Sequence, residues 1–400
     1  MKKFLALVLA LAMTLALAAC GGNSQQNSST PNAGQKEDAQ PPTDSQGGGA
    51  SGTIKIGGIG PLTGSTAQYG IATDEGAKIA IEEINALGGI QFELNGQDDE
   101  ADGEKGVNAY NNLMDWGMQI LYGCTTSGSC AAVAAESFND RVFQLTPSAS
   151  STTVTEGHDN VFQLCFTDPN QGKTAADFIK DNALATTVAV IYNNSDDYST
   201  GIYQGFKEAA EGLGLEIVST TTFPEDTTTD FSAQITDAYN NGAEMIFLPI
   251  YYTPASNILI QASQKGYDFS YFGCDGLDGI LTLEGFDTSL AEGVYVLTPF
   301  DTTSDAAKSF IEKYETATGS KPNQFAADGY DAVYIIYEAL QAAGCTGDMS
   351  AEEICEAIVA VMPTISVDGL TGQGMTWAAT GEVSKAPMAV VIKDGVYVTP

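Results

Sequence analysis

The stretch TIKIGGIGPLTGSTAQYGIATDEGAKIAIEEINALGG, residues 53–89, changes its periodicity once. Ile54, Ile56 and Ile59 sit in a short apolar strand that ends at Gly60-Pro61. From Ile71 to Ala86 the apolar residues Ala77, Ile79, Ala80, Ile81 and Ile84 recur at helical spacing, and Gly88-Gly89 stops the run. A strand feeding a helix through a polar, glycine-containing loop is one βα unit. The alternation continues outward from it. Further strands are expected at 118–122, 142–145, 187–192, 215–221, 245–250, 271–274 and 293–297, with helices at 104–114, 128–138, 170–182, 199–213, 230–241 and 255–265. Apolar strands alternating with helices of about ten to fifteen residues predict parallel sheets covered on both faces, an α/β fold. The strands are more than one open sheet comfortably holds, so two doubly wound parallel-sheet lobes are expected.

Ligands of such sheets sit beyond the carboxyl ends of the strands, so two facing lobes form a cleft walled by strand-to-helix loops. The loops at 60–69, 123–129, 146–151, 193–198, 251–254 and 275–278 are polar and aromatic. They also carry a resemblance. The opening 53–70, then Gly76-Ala77, Ile84-Asn85 and Gly88-Gly89-Ile90, is similar to that of the branched-chain amino-acid binding proteins, the extracytoplasmic receptors of ABC importers. The likeness continues through Asp98-Asp99, Thr146-Pro147, 192–198, 230–232, 247–252, 291–293, 325–332 and Gly369-Leu370, and so spans 53–400. It implies a type I periplasmic binding protein fold whose chain crosses the hinge three times. Lobe one would be 53–168 plus 300–377, and lobe two 169–299 plus 378–400. Closure of the lobes on a ligand would create the form that a membrane permease recognises.

A zwitterionic amino acid needs hydrogen-bond donors at its carboxylate and an anion at its ammonium. The loop Gly123-Cys-Thr-Thr-Ser127-Gly-Ser129 ends a strand and opens a helix, where hydroxyls and free backbone N–H groups favour an anion. The resemblance implies Ser127 and the segment Ser148-Ala149-Ser150 as carboxylate contacts; Ser127 equally suits a helix cap. It places the family's acidic residue on Asp275, where Glu is commoner. Asp is one methylene shorter, so the ligand sits deeper, a water bridges, or Asp278 shares the task; a plain turn before Gly276 is the other reading. By the same resemblance Tyr198 closes over the amine, and Tyr69, Tyr252 and Phe325 line the side-chain pocket.

The first twenty residues read as an export signal: Met1-Lys2-Lys3 is basic, Phe4 to Leu17 is uncharged and apolar, and Leu17-Ala18-Ala19-Cys20 resembles a bacterial lipobox. Cys20 would then be lipidated and hold the protein to the outer face of the cell membrane. Residues 21–52, rich in Gly, Asn, Ser, Gln and Pro, read as a flexible linker, leaving 53–400 to fold. The 400 residues carry 16 Lys plus Arg against 51 Asp plus Glu, a formal net charge of -35 that becomes -37 without Lys2 and Lys3. Such a chain neither displaces counterions from nucleic acid nor adheres to an anionic membrane by charge. Hydrophobic content of 43% nevertheless suffices for a core.

Enzymatic chemistry finds little support. His158, the single histidine, lies in the polar turn Glu156-Gly-His-Asp-Asn160, without a nucleophile beside it. The segment 98–103 imitates a calcium loop, but its twelfth position is Ala109 where a bidentate Glu is needed. The loop Gly58-Ile-Gly60-Pro-Leu-Thr-Gly64 has the wrong third spacing for a dinucleotide, and Pro61 removes a donor. No catalytic residue, metal or cofactor is expected. Six cysteines besides Cys20 permit disulfides, with Cys345 and Cys355, which flank a turn between two helices, the best local pair. Cys124 with Cys130 is a poorer pair, and buried reduced thiols remain equally open. The sequence therefore predicts a monomeric lipoprotein that captures a small aliphatic or branched-chain amino acid, or a related amide, urea or aromatic acid, for an ABC permease. A surface sensor using the same cleft is the alternative.

Overall fold

The computed structural model describes residues 51–224 and 229–400. Cys20, the export signal and residues 21–50 of the expected linker lie outside them. The linker's end is corrected: β1 (Gly52–Gly60) begins at Gly52, and Ser51 already bridges to Thr346.

The first half alternates as the sequence requires. After β1 come α1 (Ala67–Leu87), β2 (Ile90–Asp98), α2 (Gly103–Trp116), β3 (Ile120–Gly123), α3 (Ser127–Asn139), β4 (Phe143–Thr146) and β5 (Val161–Gln163). These strands form one parallel sheet in the order β2-β1-β3-β4-β5. The chain then builds a second sheet from α4 (Asp168–Asp181), β6 (Thr187–Asn193), α5 (Asp197–Leu213), β7 (Glu216–Phe223), α6 (Ser232–Asn240), β8 (Met245–Leu248), α7 (Tyr252–Lys265), β9 (Ser270–Gly273) and β10 (Tyr295–Thr298). It returns through α8 (Asp305–Thr318) to α9 (Gln324–Ala343) and α10 (Ala351–Val361), whose apolar faces cover the first sheet. It finally crosses again to add β11 (Met388–Lys393) and β12 (Val396–Val398). The second sheet runs β12-β11-β10-β9-β8-β6-β7.

Two doubly wound sheets joined by three crossings match the expectation, with one difference. β11 and β12 pair antiparallel, because the short turn Asp394-Gly395 between them leaves no room for a crossover helix. Apart from those two strands, both sheets share one topology. In each, the first strand sends its successor to one side and its later strands to the other, so the strand order reverses beside β1 and beside β6. Loops diverge at such a reversal and leave a crevice beyond the strand ends.

Helix pairs brace each sheet through glycines. A Cβ on Gly76 of α1 would stand 1.9 Å from the Ala326 carbonyl oxygen of α9, and one on Gly329 would stand 2.1 Å from the Thr73 carbonyl oxygen. In the second sheet Gly172 of α4 meets the Ile202 carbonyl oxygen of α5 in the same way, at 2.2 Å. Any side chain there would force the backbones apart.

All six described cysteines are free and buried, so the expected Cys345–Cys355 bridge is not formed. Both thiols instead pack in the apolar layer under α9 and α10 with Leu340, Ile354 and Ile358.

Candidate functional site

The loop after β3 rises from the reversal point of the first sheet and ends at α3. Thr126, not Ser127, is the helix cap; its backbone is extended and its side chain makes no capping bond. The Thr126 hydroxyl is buried without a protein partner. Ser127 opens the helix, and its Oγ accepts the backbone N–H groups of Ser150 and Ser151, each at 3.1 Å. Its own proton stays available to an acceptor in the cleft. Ser148 donates its hydroxyl to the Thr125 carbonyl at 2.7 Å, joining the β4 loop to the β3 loop. The positive end of α3 and its unpaired first-turn N–H groups therefore face the cleft among hydroxyls.

The facing wall comes from the second sheet. Asp275 follows β9 in a short 3-10 turn and is almost fully buried. Its Oδ1 accepts the Tyr198 hydroxyl at 2.7 Å, and the same hydroxyl accepts the Gly276 N–H at 2.8 Å. Gln171 of α4 fixes the turn from below by accepting the Asp275 N–H at 3.1 Å. Burial pushes the Asp275 carboxyl up to about 6, while bonds from Tyr198, Gln171 and the Gly276 backbone hold it from rising further. The carboxylate is thus short of a cation.

Thr125, Thr126, Ser127 and Ser148 on one side and Tyr198, Tyr251, Asp275 and Gly276 on the other line one narrow, nearly filled cavity of about 10 Å³, closed by Tyr69 and Phe325. The Tyr69 and Phe325 rings lie 4.3 Å apart between centroids, and Tyr198 stacks on Tyr251 at 5.0 Å. The cavity shares Thr126 and Tyr251 with a wider groove that runs between the two sheets' loops.

Of the residues expected at the site, Ser127, Ser148, Tyr69, Tyr198, Asp275 and Phe325 meet at this cavity. Three do not. Ala149 packs in the core behind α3 and gives its N–H to Thr146 Oγ1 at 2.9 Å. Ser150 bonds Ser127 through its N–H and lies 3.4 Å from Gln171 Nε2 through its hydroxyl. Tyr252 is replaced by its neighbour Tyr251, because α7 begins between them: Tyr251 is the cap and faces the cavity, whereas Tyr252 turns behind Tyr69, edge to face at 5.0 Å.

Asp278 does not share the work of Asp275; its Oδ2 accepts the Gln324 N–H at 2.8 Å at the start of α9. Thr125, Thr126 and Gly276 were not among the expected residues. A threonine pair just past the carboxyl end of a strand and at a helix cap was the available signal.

Other buried charge lies close by. Lys385, in the third crossing, is 2% exposed, pairs with Asp328 at 3.4 Å and donates to Thr371 Oγ1 at 2.7 Å. Burial pushes Asp328 up to about 7 against the pull of Lys385. The carboxylates at 98–99 have structural partners. Asp98 accepts the Leu62 N–H at 2.8 Å and Asp99 accepts the Ser129 hydroxyl at 2.7 Å. His158 caps nothing in the cleft; its Nδ1 lies 3.2 Å from the Val154 carbonyl.

Comparison with known proteins agrees with this fold. Residues 53–395 match the family model described as periplasmic binding protein. A Leu/Ile/Val-binding protein homolog from Brucella melitensis is 30% identical over 337 residues, covering 83% of this chain and 89% of its own. The substrate-binding protein of a branched-chain amino acid transporter from Streptococcus pneumoniae, solved with isoleucine, superposes with a TM-score of 0.78 at 30% identity, covering 87% of this chain and all of its own. A leucine-binding protein from Thermotoga maritima gives 0.78 at 28% identity, covering 87% and 97%.

Proposed function

The chain belongs to the periplasmic binding protein family, and from that premise we propose that it captures an aliphatic amino acid outside the cytoplasm and delivers it to the permease of an ABC importer. It is a binding protein rather than an enzyme. The observation that carries the ligand reading is the polarity of the two walls. Hydroxyls and the N-terminus of α3 face a buried, cation-short Asp275 across one cavity. A zwitterion fits that field in one orientation, carboxylate to α3 and ammonium to Asp275.

The roles come from the bonds. The Ser127 and Thr126 hydroxyls and the first N–H groups of α3 take the carboxylate. Asp275 takes the ammonium directly, with Tyr198 holding Oδ1 so that the carboxylate keeps its aim. Tyr69, Tyr251 and Phe325 exclude water and enclose an apolar side chain. The branched-chain amino acids bound by the relatives suit such a wall. The moving bodies are residues 53–168 plus 300–377 and 169–299 plus 378–400. Cys20 carries the lipid that keeps the protein, as a monomer, at the membrane; among the described residues no helix is long and apolar enough to cross one.

A thermal-shift panel of amino acids tests this. A ligand that prefers the folded state stabilises it by about 2.7 kcal/mol at a hundredfold excess over its Kd. Leucine, isoleucine or valine should raise the Tm. If no amino acid or small amide does so, the reading fails.

A further inference from the structure

The first turn of α1 grips the second sheet's loops from outside the cavity. Gln68 is half-buried, and its side chain meets a residue 214 positions away twice: Nε2 donates to the Thr282 carbonyl at 3.0 Å, and Oε1 accepts the Thr282 hydroxyl. The Gln68 backbone N–H points at the Tyr252 hydroxyl at 3.4 Å. Just before it, the Ser65 carbonyl accepts the Thr253 hydroxyl at 2.8 Å. Ser65, Gln68, Thr253 and Thr282 all lie off the cavity wall.

The local backbone is shaped for this contact. Gly279, at φ 116°, lets the chain turn into the 3-10 helix Ile280–Thr282, and a Cβ there would stand 3.1 Å from the Tyr252 ring. The turn can therefore lie against Tyr252 and present Thr282 to α1. One neighbouring bond does belong to the cavity: the Tyr69 hydroxyl donates to the Gly276 carbonyl and accepts the Tyr252 N–H at 3.3 Å. Gln68 lies beside that ring in sequence and extends the same seam outward to solvent.

These bonds join elements of different sheets, so parting the two lobes would break them. We propose that Gln68 and Thr282 form a latch, with Gln68 a positioning residue that sets the closed population and so the affinity for every ligand alike. The proposal rests on the reading of the cleft as one that closes on its ligand. A contact made only in the closed state multiplies all dissociation constants by one factor and leaves their ratios alone. A residue that touches the ligand changes the ratios.

The test compares Gln68→Ala, Thr282→Val and the double variant, first by hydrogen exchange of the ligand-free protein. Segments 62–70 and 277–286 should both exchange faster in each single variant, less so in Thr282→Val, which keeps the bond to the Thr282 carbonyl, and the double variant should exchange no faster than Gln68→Ala. Exchange that changes in one segment alone, or in neither, overturns the latch. The second readout is calorimetry with leucine, isoleucine and valine. Each Kd should rise by the same factor, about two- to fivefold for two solvent-exposed hydrogen bonds. An altered order of preference would make Gln68 a contact residue and overturn the positioning role. Wild-type protein that binds none of the three refutes the ligand reading and leaves the exchange result to decide the latch.

Discussion

The two walls of the cavity are built from the same kind of loop and present opposite polarity. In the first sheet the loop after β3 runs into a long helix, so its polar groups converge as donors at the positive end of α3. In the second, the loop after β9 winds into a single 3-10 turn, too short to develop a comparable dipole, and presents a carboxylate held by a tyrosine. One topology, used twice, thus presents donors where a strand leads into a long helix and a carboxylate where it leads into a single turn. The contrast extends to satisfaction. Ser127 is already an acceptor for two backbone N–H groups, the Thr126 hydroxyl has no protein partner, and Asp275 is buried with its charge uncompensated.

That contrast can be broken from either side. Asp275→Ala should cost the most, about a hundredfold or more in affinity by calorimetry, because a desolvated ammonium loses the carboxylate that faces it in the cavity. Its Tm without ligand should hold or rise, since a desolvated buried carboxylate is gone. Unchanged affinity would place the ammonium elsewhere. Ser127→Ala comes next. It strands the Ser150 and Ser151 N–H groups, so it should lower ligand-free stability by about 1–3 kcal/mol in denaturant unfolding as well as weaken binding.

Proton titration sharpens the acceptor side without a mutation. Burial raises Asp275 from its ordinary 3.8 to about 6. The folded protein therefore binds the extra proton between about pH 4 and 6, and through this group ligand-free stability falls as pH rises across that window. The ammonium needs the ionised form. Affinity for leucine should be flat above about pH 7 and fall up to about tenfold per unit below 6; a flat profile down to pH 5 would contradict the assignment. The smallest effect belongs to Thr126→Val. Its hydroxyl serves no protein group, so the Tm should hold within error while affinity drops about fivefold, a factor consistent with one hydrogen bond. A matching loss of stability would return Thr126 to a structural role.

Much of this arrangement is readable from residues. The β1–α1 change of period sets the fold, and candidates at strand ends converge because doubly wound sheets put their loops there. Reading fails where tertiary pairing decides. β2 alternates over Ile90, Phe92 and Leu94 but then turns polar at the sheet edge, where only one side needs an apolar residue. β5 and β12 have three residues each, too few to show a period. The helix expected at 255 starts three residues earlier, at Tyr252, so the two tyrosines expected side by side in a loop are split between cap and first turn, and about 100° of helix rotation decides which ring faces the cavity. Thr125 and Thr126 sit nearer the strand end than Ser127, but only the fold shows that their loop turns them to the cavity.

The antiparallel pair at the end of the second sheet sets an order of assembly. The first sheet has all five strands once residue 163 has emerged, whereas the second waits for β11, the last strand but one, to cover β10. A nascent or exported chain cut short before Met388 would carry Tyr295–Thr298 as a bare edge with the rest of both sheets in place. Such an edge is a template for pairing between molecules. Met388–Lys393 therefore doubles as a cover: a chain that carries it hides the β10 edge, and one that lacks it leaves that edge open to another molecule.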